Sequence, residues 1–198
     1  MQPDTPLSVL TIGHSTHPLA RFIDLLTARG VTALADVRSQ PFSRFNPQYN
    51  RDVLCKAVQD AGIAYVFLGR ELGARSDDPA CYENGQLQFS RLSATPLFLA
   101  GIDRILTGAA KFKIALMCAE KEPLECHRTL LISRALEKRG VSVAHVLADG
   151  SLEPQAMTMS RLLDLLGLPQ QDMFRSRQEL VDAACNLKER KVAYINHA

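Results

Sequence analysis

Residues 113–150 read KIALMCAEKEPLECHRTLLISRALEKRGVSVAHVLADG, and the reading of this stretch decides the fold. Lys113 to Cys118 is a short apolar run that predicts a strand. An amphipathic stretch follows from near Glu125 to Arg139 and stops at Gly140, which predicts a helix. Val141 to Leu147 is rich in β-branched residues and predicts a second strand. Strand, helix and strand in this order form a crossover unit of a parallel sheet.

The same alternation extends back to the N-terminus. Strands are predicted at Val9 to Gly13, Thr32 to Val37 and Ala64 to Leu68. One helix between them has Pro18 in its opening turn, an apolar stripe of Phe22, Leu25 and Leu26, and a stop at Gly30. A second carries Leu54, Val58 and Ala61 and stops at Gly62. A third starts at Thr95-Pro96 and carries Phe98, Ile102 and Ile105. The expectation is an α/β domain over residues 1–150, with a mainly parallel sheet of about five strands and helices on both faces. Residues 151–198 read as a C-terminal helical extension packed on the same domain. Two connections, Ser39 to about Arg51 and Gly69 to about Thr95, are long enough to be read as functional loops.

Composition narrows the class. The chain has 198 residues, 46% hydrophobic and 22% charged, with a net charge of +2 and a pI near 8.3. Wholesale electrostatic binding to nucleic acid or anionic lipid is not implied. No apolar run reaches the roughly 20 residues of a membrane span, and Met1-Gln2-Pro3-Asp4 lacks the features of a signal peptide. Five cysteines, an odd number without scaffold spacing, read as reduced thiols in a cytoplasmic protein.

In an open parallel sheet, ligands bind beyond the carboxyl ends of the strands. Those ends deliver Gly13-His14-Ser15-Thr16, Asp36-Val37-Arg38-Ser39, Gly69-Arg70-Glu71, Cys118-Ala119-Glu120 and Asp149-Gly150. Cys126-His127-Arg128 follows at the opening of the next helix. A thiol there is favoured as thiolate by free backbone N–H groups and the positive helix end. The leading expectation is an enzyme using Cys118 or Cys126 on a small anionic or nucleotide-like substrate. Glu120, His14 or His127 would move protons. Arg38 and Arg128 would hold the anion, with Ser15, Asp36 and Arg44 as further binding residues. Two buried, inert cysteines are the bland alternative.

Two other readings stay open. Cys118, Cys126, His127 and His14 are ligand types for zinc or iron, which would make a metal-assisted hydrolase. The spacing matches no common metal motif, and adjacent residues on a helix point about 100° apart, which makes joint ligation by Cys126 and His127 awkward. Alternatively, the Arg38 to Arg51 loop holds Arg44 and no acid, with Phe42, Phe45 and Tyr49 interleaved. That composition suits a non-catalytic nucleic-acid or nucleotide-binding module, unless the two phenylalanines merely pin the loop. Arg38 and Asp36 could equally form a structural ion pair. The Gly13 turn carries neither a dinucleotide fingerprint nor a P-loop lysine, so no NAD or ATP signature is present. It could instead bind an anion through backbone N–H groups, or serve as a plain helix cap through Ser15 and Thr16. Cys55 and Cys185 read as packed, and Cys81 as exposed in the second long loop.

Taken in order, Gly13-His14-Ser15, Asp36-Val37-Arg38 with Pro41 and Ser43-Arg44, Gly62-Ile63 with Tyr65, Leu72-Gly73, Cys118-Ala119-Glu120, Cys126-His127-Arg128, His145 and Asp149-Gly150 resemble the DUF488 family. The resemblance covers about residues 8 to 150. It implies a cytoplasmic, Rossmann-like three-layer domain of bacteria or archaea, and supplies no reaction. Where the family shows Leu-Gly-Gly-Arg, this chain has Leu72-Gly73-Ala74-Arg75. Any close backbone approach to a ligand at the second glycine is therefore in doubt.

Overall fold

A computed structural model describes residues 7–196. The N-terminal residues 1–4, read above for a signal peptide, lie outside the described residues. In chain order the elements are β1 (Ser8–Gly13), α1 (Leu19–Thr27), β2 (Ala33–Asp36), α2 (Arg51–Asp60), β3 (Ala64–Phe67) and α3 (Gly69–Leu72). A small hairpin of β4 (Tyr82–Glu83) and β5 (Gln86–Leu87) follows, then α4 (Phe89–Ser93), α5 (Pro96–Ala109) and β6 (Ile114–Cys118). The chain continues through α6 (Arg134–Glu137), β7 (Ser142–Val146), β8 (Leu152–Pro154), α7 (Gln155–Leu165) and α8 (Arg177–Val192).

The main sheet has six strands in the order β3-β2-β6-β1-β7-β8. The first five are parallel, and β8 runs antiparallel to β7 at the edge. This is the expected α/β, Rossmann-like three-layer architecture with one strand more than predicted. The extra strand is three residues long and ends in Pro154, whose missing N–H is tolerated at an edge, so no periodic signal announces it.

Alternation along the strands feeds two cores. Leu10, Ile12, Leu34, Ala115 and Met117 face one way, onto Phe22, Leu25 and Leu26 of α1 and Leu54 and Val58 of α2. Val9, Ala35 and Leu116 face the other way, onto Phe98 and Ile102 of α5, Leu136 of α6, Leu162 of α7 and Ala184 of α8. The segment after residue 150 therefore shares the second core and also completes the sheet. Thr95 caps α5 by accepting from Phe98 N–H at 3.2 Å, and Ser176 and Glu179 close a capping box on α8.

Four local expectations are corrected. The 69–95 connection is not a plain loop, since it folds into α3, the hairpin and α4. Cys81 within it is buried. The stretch from Glu125 to Arg139 is not one regular helix: a 3-10 turn over Pro123–Glu125 is followed by a π-helical turn over Arg128–Ser133 before α6 begins. Ser15 and Thr16 do not cap α1, which starts at Leu19 after Pro18 with no side-chain cap.

Topology locates the cleft. From β1 the chain crosses one face through α1 towards β2 and β3, whereas from β6 it crosses the other face through α6 towards β7. β1 and β6 are neighbours, with Gly13 opposite Cys118. Their carboxyl ends form the switch point at which such sheets open a crevice.

Candidate active site

The crevice floor is built from two backbone approaches. His14 N–H donates to the Cys118 carbonyl and Ser15 N–H to the Ala119 carbonyl, both at 2.9 Å. Only glycine fits at position 13, because a Cβ there would lie 1.8 Å from the Glu120 carbonyl oxygen. Ser15 adopts a left-handed conformation, φ 49°, to complete the turn, a strained geometry that clusters at functional sites. The fully buried Arg128 ties the floor down by donating to the Glu120 carbonyl at 2.6 Å and to the Lys121 carbonyl at 3.3 Å.

Cys118, Glu120, Cys126 and His127 converge on this floor. Cys118 and Cys126 lie 2.8 and 3.1 Å from the same Glu120 oxygen, Oε2, and each donates to it as a thiol. His127 Nε2–H donates to the Val37 carbonyl at 3.2 Å, leaving Nδ1 free to face both sulfurs at 3.7 Å. The angular objection to joint action by Cys126 and His127 does not hold. Cys126 is extended, at φ −138° and ψ 140°, and only His127 enters the helical region. Among the described residues, Cys118, Cys126 and His127 form a group whose Sγ and Nδ1 atoms lie within 4.8 Å of one another.

The electrostatics of the cluster are asymmetric. Burial alone would raise the Cys126 thiol, but a hydrogen bond from Cys118, the Arg128 guanidinium and His127 together pull it well below its ordinary value. Cys118 is pushed up, chiefly by its hydrogen bond to Cys126 and then by burial. Glu120 is raised by burial and by Cys126. His127 would be lowered by burial, yet the facing Cys126 raises it. Cys126 is thus the sulfur disposed to give up its proton, towards His127, while Cys118 and Glu120 are disposed to keep theirs.

A second cluster forms the wall. Asp36 is buried and bound in two-pronged fashion by Arg38, with Nε at 2.9 Å from Oδ1 and a terminal nitrogen at 2.6 Å from Oδ2. Tyr65 donates to the same carboxylate at 2.8 Å, and Arg38 also donates to the Tyr49 carbonyl at 2.9 Å. The structural ion-pair reading of Asp36 and Arg38 is thus correct. Arg38 nevertheless lines the cavity, with a guanidinium N–H to spare. His14 stacks on Tyr49 with ring centroids 4.0 Å apart. Its Nδ1–H donates to the Ser15 carbonyl at 2.8 Å, and its Nε2 faces Arg38 at 3.4 Å. Burial first, with Arg38 and Arg128 adding, lowers its pKa to about 4. Both ring nitrogens are engaged, so His14 is not a ligand beside the two sulfurs.

Over the floor lies a cavity of about 360 Å³ lined by the four cluster residues together with Arg38, Gln40, Phe42, Arg75 and Tyr194. An adjoining cavity of about 340 Å³ is lined by His14, Ser15, Thr16, Asn46 and Lys121, with Arg38, Gln40 and Phe42 shared between the two. Arg44 is exposed on the loop and Arg128 lies beneath the floor, so neither side chain lines the main cavity. Sequence reasoning named Arg75 only within the family pattern and gave it no role; its guanidinium lies 4.4 Å over the Tyr194 ring and forms no ion pair among the described residues. It stands next to Ala74, at the position where the family motif places its arginine. Tyr194 carried no signal. It reaches the cleft because Leu87 N–H donates to its carbonyl at 2.9 Å, and because Lys188 of α8 is paired with Glu125 beside the cavity.

No helix among the described residues is long and apolar enough to cross a membrane. The family model described as "Domain of unknown function DUF488" matches residues 18–135, which takes in every residue of the cysteine cluster and the Asp36–Arg38 pair. No curated protein and no solved structure matches the chain.

Proposed function

The chain belongs to the DUF488 family, and on that premise we propose that it is an enzyme whose cysteine-centred cleft acts on a small anionic or nucleotide-like substrate. One observation carries the reading: the cavity that has Cys118, Glu120, Cys126 and His127 on its floor has two guanidinium groups, Arg38 and Arg75, on its wall. Proton-transfer groups, sulfur ligands and anion-holding cations face one space large enough for a small molecule. Arg75, exposed and without a carboxylate partner among the described residues, supplies the principal anion contact, and Arg38 the fixed one. Glu120 moves protons beside the sulfurs, which His127 faces through Nδ1.

Calorimetric titration with pyrophosphate and with a nucleoside monophosphate tests the reading. Losing one charge-assisted hydrogen bond is worth about 1.5–3 kcal/mol, so Arg75→Ala should weaken binding by about tenfold to a hundredfold. Turnover of chromogenic phosphate or carboxylate esters should vanish in Cys126→Ala. Absence of binding to either anion, or turnover that survives Cys126→Ala, defeats the proposal.

A second reading, the nucleic-acid module, draws on the loop between β2 and α2. Phe42 and Phe45 are 66% and 89% exposed, so they do not pin the loop. Tyr49 is lost to it, being buried against His14.

A further inference from the structure

We propose that Cys118 Sγ, Cys126 Sγ and His127 Nδ1 are three ligands of a single zinc ion, with the fourth corner of its tetrahedron open to the cavity. The inference deepens the proposed function, on which it rests only for what the site does.

The three ligand atoms lie within 4.8 Å of one another, and the histidine-to-sulfur distances fit a shared ion. Zinc takes sulfur at about 2.3 Å and imidazole nitrogen at about 2.0–2.1 Å, so a regular tetrahedron separates the two ligand atoms by about 3.6 Å. His127 Nδ1 stands 3.7 Å from each sulfur. One acid and one base arranged equally about two sulfurs is more than a lone nucleophile needs. It is what a shared ion demands. The outer contacts agree: ligating histidines donate their other ring N–H to a carbonyl or carboxylate, which fixes the tautomer, and His127 Nε2 is bound to the Val37 carbonyl. The buried Arg128 backbone N–H lies 3.5 Å from Cys126 Sγ and steadies it as a thiolate ligand would be steadied.

The chemistry of the donors selects the metal. Two thiolates and one imidazole in a tetrahedral array suit zinc better than magnesium, calcium or manganese. Glu120 Oε2 stands beside both sulfurs, and Glu120 lines the cavity onto which the fourth corner opens. Three protein ligands plus an open corner is the pattern of catalytic rather than structural zinc. The substrate anion, drawn in by Arg38 and Arg75, would approach that corner.

The test uses the full chain. Elemental mass spectrometry after exhaustive dialysis should find about one zinc per chain. After chelation, Co²⁺ added to the folded chain should give the intense visible bands of tetrahedral cobalt together with sulfur-to-cobalt charge transfer. Cys118→Ser and Cys126→Ser should each weaken the charge-transfer bands, the double variant should lose them, and Cys55→Ser should keep them in full. Should the serine variants fold poorly, the wild-type chain still decides the matter, because Zn²⁺ must then shield two thiols from a disulfide reagent. Cobalt uptake without sulfur bands, or zinc that shields no thiol, overturns the proposal. Anion binding that persists after such a result would leave the cleft reading standing and remove only the metal. A zinc-loaded chain that binds neither pyrophosphate nor nucleotide would keep the metal and remove the cleft reading.

Discussion

Arg38 donates within the protein to Asp36, to the Tyr49 carbonyl and towards His14, and it holds the wall of the cleft in register with its floor. Breaking a buried ion pair by removing one partner leaves an uncompensated charge and costs about 3–5 kcal/mol. Asp36→Asn should therefore lose about that much stability in urea unfolding, and Arg38→Lys should not be conservative, because an ammonium cannot reproduce the two-pronged contact. A loss below about 1 kcal/mol for Asp36→Asn would contradict this account. Gly13→Ala should be worse for the site than for the rest of the fold. The added Cβ meets the Glu120 carbonyl, not a flexible side chain, so the 118–120 backbone must move. Loss of anion binding at a melting temperature lowered by only a few degrees is the expected outcome. The identities of these residues were legible in the sequence, since each stands at a strand end. Their partners were not. Tyr49 and Tyr65 meet Asp36 and Arg38 through tertiary packing that no local spacing encodes, and the joint reach of Cys126 and His127 was hidden by the assumption of a regular helix.

The elements around the site carry their own consequences. His145 of β7 is buried between Thr11 of β1 at 2.7 Å and Gln155 of α7 at 2.6 Å, and Gln155 reaches the Thr129 carbonyl at 3.4 Å. This chain of polar contacts docks α7 and steadies the π-helical turn behind Cys126. Burial above all, with Arg128 adding, lowers the pKa of His145 from 6.5 to about 4. The unfolded chain thus binds a proton that the folded chain refuses between those values. The stability from the neutral imidazole is complete above about pH 6.5 and falls as pH drops towards 4, by about 3 kcal/mol in total. His14, lowered to the same value, adds a similar slope. Urea unfolding between pH 7 and pH 5 should show the decline, and His145→Gln should flatten it. An identical slope in the variant would show that His145 does not titrate in this range. For the loop between β2 and α2, Phe45→Ala should weaken single-strand binding by about 1–3 kcal/mol with little change in salt dependence. Arg44→Ala should reduce the slope by about 0.7 log units per log salt. Salt-insensitive binding would remove the nucleic-acid reading. Helices and strands were readable here by period and stop signals. The π-helical turn and β8 were not, because the first follows from side chains reaching across the molecule and the second is too short to have a period.

At the scale of the whole molecule, the parallel sheet and its helical layers follow from alternation along the chain, and the position of the cleft follows from the strand order. The order itself, with β1 flanked by β6 and β7, could not be read from local pattern. It is also what sets the order of events during synthesis. A ribosome adds roughly 5–20 residues each second. β1 is therefore complete while both of its neighbours, beginning at Ile114 and Ser142, are still untranslated. For several seconds its apolar Val9, Leu10 and Ile12 have no native strand to join. β2 and β3 can pair first, but β1 must wait for more than half the chain to emerge. Long-range parallel pairing of this kind slows folding and lengthens the interval in which an unpaired edge can aggregate. The nascent chain should therefore gain protease resistance abruptly, once β7 has cleared the exit tunnel, and not in steps as each helix appears.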